Sequence, residues 1–404
     1  MNGQPPGGEM EMAPLLHHLV PPTPRDRRIA RLLLEDFVAT TLSGRSSASS
    51  WSPVEVGPVE SAARFAAIAS SRDLDDVDWS GPLHPGSVVW PAVIASAASV
   101  QAPGSRLLHA GVSGYRVAHA CAAALGREHA SRWHLTATAA ALGATAGCAV
   151  IRGENADHVG RALSLAAVNL GGLGQAPLER SGAARATRAF AAAQGVLANV
   201  LAAGDLPSTA HPWSGPRGVQ QVMGAGTLPS TAPSDPWAYI GLRLYPVNGF
   251  VNSAVRATAE LGATENGPYE EIVWELPRGA LVMVDTAGHG DWWNARLAAA
   301  RAIGSGSPWF VDRVGPWDEL AVRVRLEGAD LPLGSARVHV RTSVGCFTRD
   351  APRLAILDDG DANETAGHKW TQVLGVDPGE VLDIVDRMLS DEPDWSATLA
   401  GLSG

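Results

Sequence analysis

The stretch Ser71–Val100, SRDLDDVDWSGPLHPGSVVWPAVIASAASV, decides how the rest of the chain is read. Four carboxylates come first (Asp73, Asp75, Asp76 and Asp78), followed by a Gly/Pro-broken loop, Trp79 to Pro85, that carries one histidine, His84. From Ser87 the residues are almost uninterruptedly apolar, as a buried helix requires. Charges crowded against a segment that must be buried are costly unless they are paired or put to chemical use. Ser87 can cap the helix, and Pro91 is expected in its first turn, where a missing N–H costs little. The loop then holds His84 and the carboxylates at a helix mouth, a setting suited to acid–base chemistry. Taken alone, the four aspartates read equally well as a solvated acidic face.

The composition bounds what surrounds this stretch. Apolar residues make up 46% of the 404-residue chain and charged residues 18%, with alanine abundant, which describes many closely packed helices. A net charge of −10 argues against a nucleic-acid surface, which needs a basic stripe. An anionic substrate would need a local arginine cluster. Cys121, Cys148 and Cys346 are odd in number and lack C-x-x-C spacing, so neither a disulfide framework nor a zinc site is expected. Residues 1–24 read as a disordered tail and not a signal peptide, and no apolar run is long enough to cross a membrane. A cytoplasmic protein is expected.

Helical spacing runs through the first half. Pro24–Gly44 places Ile29, Leu32, Leu33 and Phe37 on one face, with Gly44 as the stop. Arg45–Gly57 reads as a linker and Val59–Ser70 as a helix leading to the aspartates. Further helices are expected over Ala110–Leu125, Thr136–Ile151, Asp157–Gly171 and Ala186–Gly204, followed by a Pro/Gly-rich excursion to about Trp237. At the start of the second of these, Arg132-Trp133-His134-Leu135-Thr136 puts a histidine where the helix dipole lowers its pKa and favours a neutral imidazole. His119 and His129 make no metal-like pair with it and read as structural. Beyond Tyr239 the period changes to two, giving strands over Ile272–Leu276, Leu281–Val284, Glu319–Leu326 and Ala336–Val344, with a helix over Trp292–Ile303. A terminal helix, Pro378–Leu389, closes the chain. The fold class is therefore mainly α with an added α+β domain: helical over 25–240 and completed by 376–404, with an α+β lid over 241–375.

The Asp-x-Asp-Asp run leading to a His-Pro-Gly turn and a buried helix resembles the signature of the MmgE/PrpD family. That family includes 2-methylcitrate dehydratase, cis-aconitate decarboxylase and iminodisuccinate epimerase. The turn at Trp133-His134-Leu135-Thr136 is similar to the family's aromatic-His-x-Thr turn. GLRLYPVNGFVNSAVRATAEL (241–261) resembles its Lys-x-Tyr-Pro turn and following helix, with Arg243 where lysine is usual. The resemblance runs over nearly the whole chain and implies a homodimer formed through the helical domains. It also implies a site between the helical and α+β domains, on which Asp73, His84, His134 and Asn252 converge.

Family reactions share removal of a proton α to a carboxylate, followed by β-expulsion or reprotonation. Such carbon acids need a near-neutral base and cationic or hydrogen-bonding groups for the developing charge. The resemblance thus makes Asp73, His84 and His134 the catalytic candidates, and Asp76, Arg132, Arg185, Arg243 and Asn252 the substrate-binding ones, with no metal or organic cofactor. The sequence departs from the pattern at several points: Val77 replaces a threonine, and the loop to His84 is one residue longer. Ala184 or Arg185 replaces a lysine, Asn252 a histidine and Leu297 a tyrosine. An asparagine cannot take a proton at neutral pH, and the lost positive charge disfavours a tricarboxylate. Trp79, Trp90, Trp133, Trp292 and Trp293 suggest a more apolar pocket, although Trp90 reads better as core. Two functions follow: a divergent lyase or isomerase acting on a small-molecule substrate, or a non-catalytic binding or assembly protein. A Ser/His/Asp hydrolase is disfavoured because no G-x-S-x-G elbow is present.

Overall fold

The structure, a computed structural model, describes residues 11–48, 57–204, 206–229, 236–265, 268–285, 293–309, 317–354 and 362–403. The chain divides into two compact units, Met1–Ile240 with Val376–Gly404, and Gly241–Gly375. The first is helical; the second combines helices with a four-stranded sheet.

In the helical unit α1 spans Pro24–Gly44, α2 Pro58–Ala69, α3 Gly86–Val100, α4 Leu107–Ala130, α5 Leu135–Arg152, α6 Ala156–Ala167, the single turn α7 Gln175–Leu178, and α8 Ala183–Ala203. Thr23 and Asp26 form a reciprocal capping box at the start of α1, with proline in its first turn. Helices α3, α4, α5 and α8 pack around a core of alanine, valine and leucine. Close approach rests on small residues: a Cβ on Gly143 of α5 would sit 2.5 Å from the Gly114 carbonyl of α4. In α4 the backbone breaks helical geometry at Gly126 (φ 71°), one residue past the expected end at Leu125. Of the described helices, α5 is long and apolar enough to cross a membrane; 89% of it is buried inside the unit, as befits a core helix.

Several expectations change. Within the segment 1–24, residues 1–10 lie outside the described residues, but Ala13–Leu19 forms a 3-10 helix, and Met12 and Leu15 are buried in the core. This part is anchored by apolar burial and is not a disordered tail. Most of the linker, residues 49–56, lies outside the described residues. Ser87 does not cap α3: it is the second helical residue, and its hydroxyl lies 3.4 Å from the His84 carbonyl. Pro91 is the sixth residue, so the Ser87 carbonyl loses its helical donor inside the core. The excursion after α8 is held in place by the buried Trp213, whose backbone N–H donates to Glu11 and whose indole donates to the Gly226 carbonyl. With the end of α6 this excursion lines an apolar groove of about 540 Å³ that contains none of the candidate residues. The short helix α9, Val219–Met223, lies in it.

The second unit contains α10 (Asn252–Thr264), β1 (Tyr269–Pro277), α11 (Arg278–Val284), α12 (Ala295–Ser305), α13 (Trp317–Ala321), β2 (Val324–Ala329), β3 (Ala336–Thr342), β4 (Gly345–Ala351) and α14 (Ala362–His368). The strand order is β2-β1-β3-β4, with β2 parallel to β1 and the remaining pairs antiparallel. Val338 and Val340 of β3 face inward while Arg337 and His339 face outward to Glu275 and Asp350. On the inner side Trp274 donates its indole N–H to Thr258 of α10. The expected strand Leu281–Val284 is the end of α11. Its inward residues, Ala280 and Val284, are four apart while Val282 is exposed, a helical period that four apolar residues alone do not reveal. The expected strand Glu319–Leu326 begins as α13 and turns extended only at Val324. Trp292 lies outside the described residues. The chain returns to the helical unit with α15 (Pro378–Leu389) and α16 (Trp395–Ser403), where the Trp395 indole donates to the Ala102 carbonyl.

Candidate functional site

The aspartate-rich loop is held from α4. Tyr115 and His119, one helical turn apart, reach Asp76 and Asp78, two residues apart in the loop: the Tyr115 hydroxyl donates to Asp76 Oδ2 at 2.6 Å, and His119 Nδ1 lies 2.6 Å from Asp78 Oδ2. The other Asp76 oxygen accepts the Gly86 N–H, the first of α3, at 2.9 Å. This carboxylate, and not Ser87, satisfies the helix mouth. Asp76 is buried and both its oxygens have protein partners, so it supports the loop. Burial, with Asp75 and Asp36 nearby, pushes its pKa up to about 7 against the hydrogen bonds from Tyr115 and Gly86.

His84, half-buried at the loop's end, is fixed by the same segment. Its Nδ1 lies 2.7 Å from the Asp76 carbonyl oxygen, which can only accept. Nδ1 therefore carries the proton, and in the neutral ring Nε2 carries the lone pair. The His84 backbone N–H donates to Thr136 Oγ1 in the first turn of α5, two residues beyond His134.

His134 is the N-cap residue of α5. Its backbone N–H donates to the Gly172 carbonyl, and its Nδ1 lies 2.6 Å from Thr187 Oγ1 of α8. Thr187 in turn donates to the Ala184 carbonyl, so the imidazole Nδ1–H is the donor to Thr187 and Nε2 is again the acceptor nitrogen. Burial, followed by the charges of Arg188 and His84, pushes the His134 pKa down to about 3, with Asp73 and Asp75 opposing. The ring is neutral.

Arg188, one residue after Thr187, is a further candidate that sequence reasoning missed. It is buried, with Nη1 3.2 Å from Asp75 Oδ2 and Nη2 3.4 Å from Asp73 Oδ1, while its Nε has no hydrogen-bond partner among the described residues. Asp73 holds a left-handed backbone (φ 56°), an uncommon conformation for a non-glycine residue and one found at functional positions. A possible signal was the spacing Arg185-x-x-Arg188 at a helix start; only burial distinguishes the two arginines.

Asp73, Asp75, His84, His134 and Arg188 thus share one region of the helical unit. Arg132 and Arg185 stay outside this buried set, and Arg243 and Asn252 belong to the second unit. Arg132 is exposed and paired with Glu128 at 3.2 Å, and Arg185 is exposed on α8. Arg243 is buried in the second unit. Asn252 clamps its own turn: Oδ1 accepts the N–H groups of Leu244 and Tyr245, and Nδ2 donates to the Asn248 carbonyl. His129 pins α4 to α5 through Thr138. Ser80 and Asp78 both meet Nδ1 of His119, whereas a hydrolytic triad places its serine and aspartate on opposite ring nitrogens.

A family profile described as the MmgE/PrpD N-terminal domain matches residues 27–231. A comparison with curated proteins finds no match.

Proposed function

Because the chain belongs to the MmgE/PrpD family, which contains dehydratases and related lyases, we propose that it is a cofactor-independent lyase or isomerase removing a proton α to a carboxylate or carbonyl. The observation that carries this reading is the anchored His84 ring, with its acceptor Nε2, beside His134 and a buried arginine. His84 is the proton-transfer base. It is half-buried and can bear the imidazolium charge, whereas burial and Arg188 oppose a charged His134. Neutral His134 orients the substrate through Nε2. Arg188 holds the oxyanion that develops as the proton leaves, using its unpartnered Nε–H.

The charge balance supports a substrate with few carboxylates. Arg188 already faces Asp73 and Asp75, so its positive charge is balanced before anything binds. A tricarboxylate would meet two aspartates and one arginine. The reading is tested with a panel of small hydroxy, keto and amino acids in heavy water, following α-proton exchange by NMR. Exchange that His84→Ala and His134→Ala abolish without unfolding is the expected result. Exchange unchanged in both variants, or binding with no exchange by any compound, overturns it.

We also propose that two copies pair through α8 in a cytoplasmic homodimer. Phe190, Leu197, Val200 and Leu201 are exposed along this helix, and no charged residue lies between Ala189 and Ala203. Phe190, Leu197 and Leu201 follow helical spacing, forming an apolar stripe against which a second copy meets no like charge.

A further inference from the structure

We propose that Tyr115 is a positioning residue for His84, acting through Asp76, and that the Asp76–Tyr115–Gly86 cluster is a protonation-dependent support for that ring. His84 is attached to the Asp76 backbone, and the Asp76 side chain is attached at two points to other helices. When the carboxylate is ionised, Oδ1 takes the Gly86 N–H and Oδ2 takes the Tyr115 O–H, which together fix the residue whose carbonyl holds the imidazole. When it is protonated, one oxygen becomes a donor: on Oδ1 the proton opposes the Gly86 N–H, which cannot reverse, and on Oδ2 it forces the Tyr115 hydroxyl to turn round and accept. The carbonyl is then freer to turn, and the ring with it.

The surroundings leave little slack. A Cβ at Gly86 would sit 2.6 Å from both Asp76 Oδ1 and the Tyr115 hydroxyl oxygen, so only glycine fits there. The charged and titratable groups facing Asp76 are Asp75 in its own loop, Asp36 from α1 and Tyr115 from α4. Trp90 of α3 packs against the Tyr115 ring at 6.0 Å. A void of about 10 Å³, on the scale of one water, lies between Asp36, Asp75 and Asp76. Asp75 has Arg188 as counter-ion, whereas the contacts to the Asp76 side chain come from a neutral hydroxyl and a backbone N–H. Burial therefore raises the Asp76 pKa toward neutrality, and neither of these neutral partners offsets it as a cation would.

Calling the supported ring catalytic rests on the proposed function, but the test needs no substrate. The full chain is labelled with nitrogen-15 histidine, and its ring signals are followed by long-range NMR between about pH 5 and 8. The His84 signals are assigned by their loss in His84→Gln. The wild type should show a ring protonated at Nδ1 and, besides the ring's own protonation step, a second inflection that belongs to Asp76. Asp76→Asn should remove that inflection. Tyr115→Phe, having lost a hydrogen bond that favours the carboxylate, should move it upward by about one unit. A merely structural tyrosine would leave it in place. Identical His84 signals in the wild type and in both variants overturn the proposal, and so does a wild type without the second inflection, even if Tyr115→Phe fails to fold. Loss of α-proton exchange alongside the expected His84 signals would instead count against the enzyme reading alone.

Discussion

Arg188 Nη1 lies 3.2 Å from Asp75 Oδ2, longer than the roughly 2.9 Å of a tight charge-assisted contact. Its Nη2 is 3.4 Å from Asp73, and Nε lacks a hydrogen-bond partner among the described residues. A buried guanidinium held this loosely can turn toward a substrate oxyanion without first breaking a strong pair.

This arrangement separates two substitutions. Arg188→Ala leaves Asp75 buried without its counter-ion and should destabilise the fold by about 3 kcal/mol, besides removing the oxyanion holder. Arg188→Lys keeps the charge but cannot span both aspartates. It should fold, with less than half that loss, while α-proton exchange falls by about 100-fold. Denaturant melts and the exchange assay together check this. A lysine variant with wild-type exchange would show that Arg188 serves only as a counter-ion.

The buried histidines shape the acid limb of stability. Burial is the first cause in each: it pushes His18 and His129 down to about 4 and His134 to about 3, from an ordinary value of 6.5. Between those values the unfolded chain binds more protons than the native one, so stability rises with pH and is lost as pH falls below about 6.5. Asp76 acts in the opposite sense. Raised to about 7 from 3.8, it contributes fully below about 3.8 and loses its contribution as pH rises through 7. Glu35, also raised by burial, acts in the same sense as Asp76, so three histidines stand against two carboxyls and net stability should fall between about pH 6.5 and 4. His129→Gln, which can keep the hydrogen bond to Thr138 without titrating, should flatten that fall. Urea midpoints at three pH values measure both effects, and a midpoint independent of pH would contradict them.

How much of this was readable depends on how local each signal is. Helices α1 and α15 run from Pro24 to Gly44 and from Pro378 to Leu389, as their first-turn prolines and apolar spacing indicate. His84 and His134 stand out because each adjoins a helix start in the sequence. The Asp76–Tyr115 contact spans 39 residues, and nothing near either residue announces it. Arg188 was hidden for a related reason: Arg185 is just as plausible until burial is known. Strand β4 (GCFTRDA) lacks apolar alternation because it is an edge strand with one buried residue, and pairing with β3 is what makes it a strand.

If α8 is the dimer surface, a charge in the middle of its stripe should separate the copies. Phe190→Glu with Leu197→Glu places two like charges from each copy in the contact, so sedimentation should shift from dimer to monomer while the melting curve of the separated chain stays cooperative. A doubly substituted chain that still sediments as a dimer would place the contact elsewhere, and a monomeric wild type would remove it.

The single lysine of the chain, Lys369, offers a direct probe of the second unit. Its side chain is fully buried at the start of a π-helical segment, Lys369–Leu374, next to the buried Trp370. An amine inside the protein cannot meet an acylating reagent until the surrounding structure opens, so its rate of modification reports the free energy of that opening. Since no other lysine competes, mass spectrometry of the Lys369 peptide after brief exposure to an acetylating reagent reads the unit in isolation. Labelling in native buffer should be at least about 100-fold slower than in urea, corresponding to an opening cost of about 3 kcal/mol or more. It should accelerate at the denaturant concentration that unfolds residues 241–375. Native labelling as fast as that of a free amine would mean that Lys369 is solvated and that this unit offers its side chain no protection.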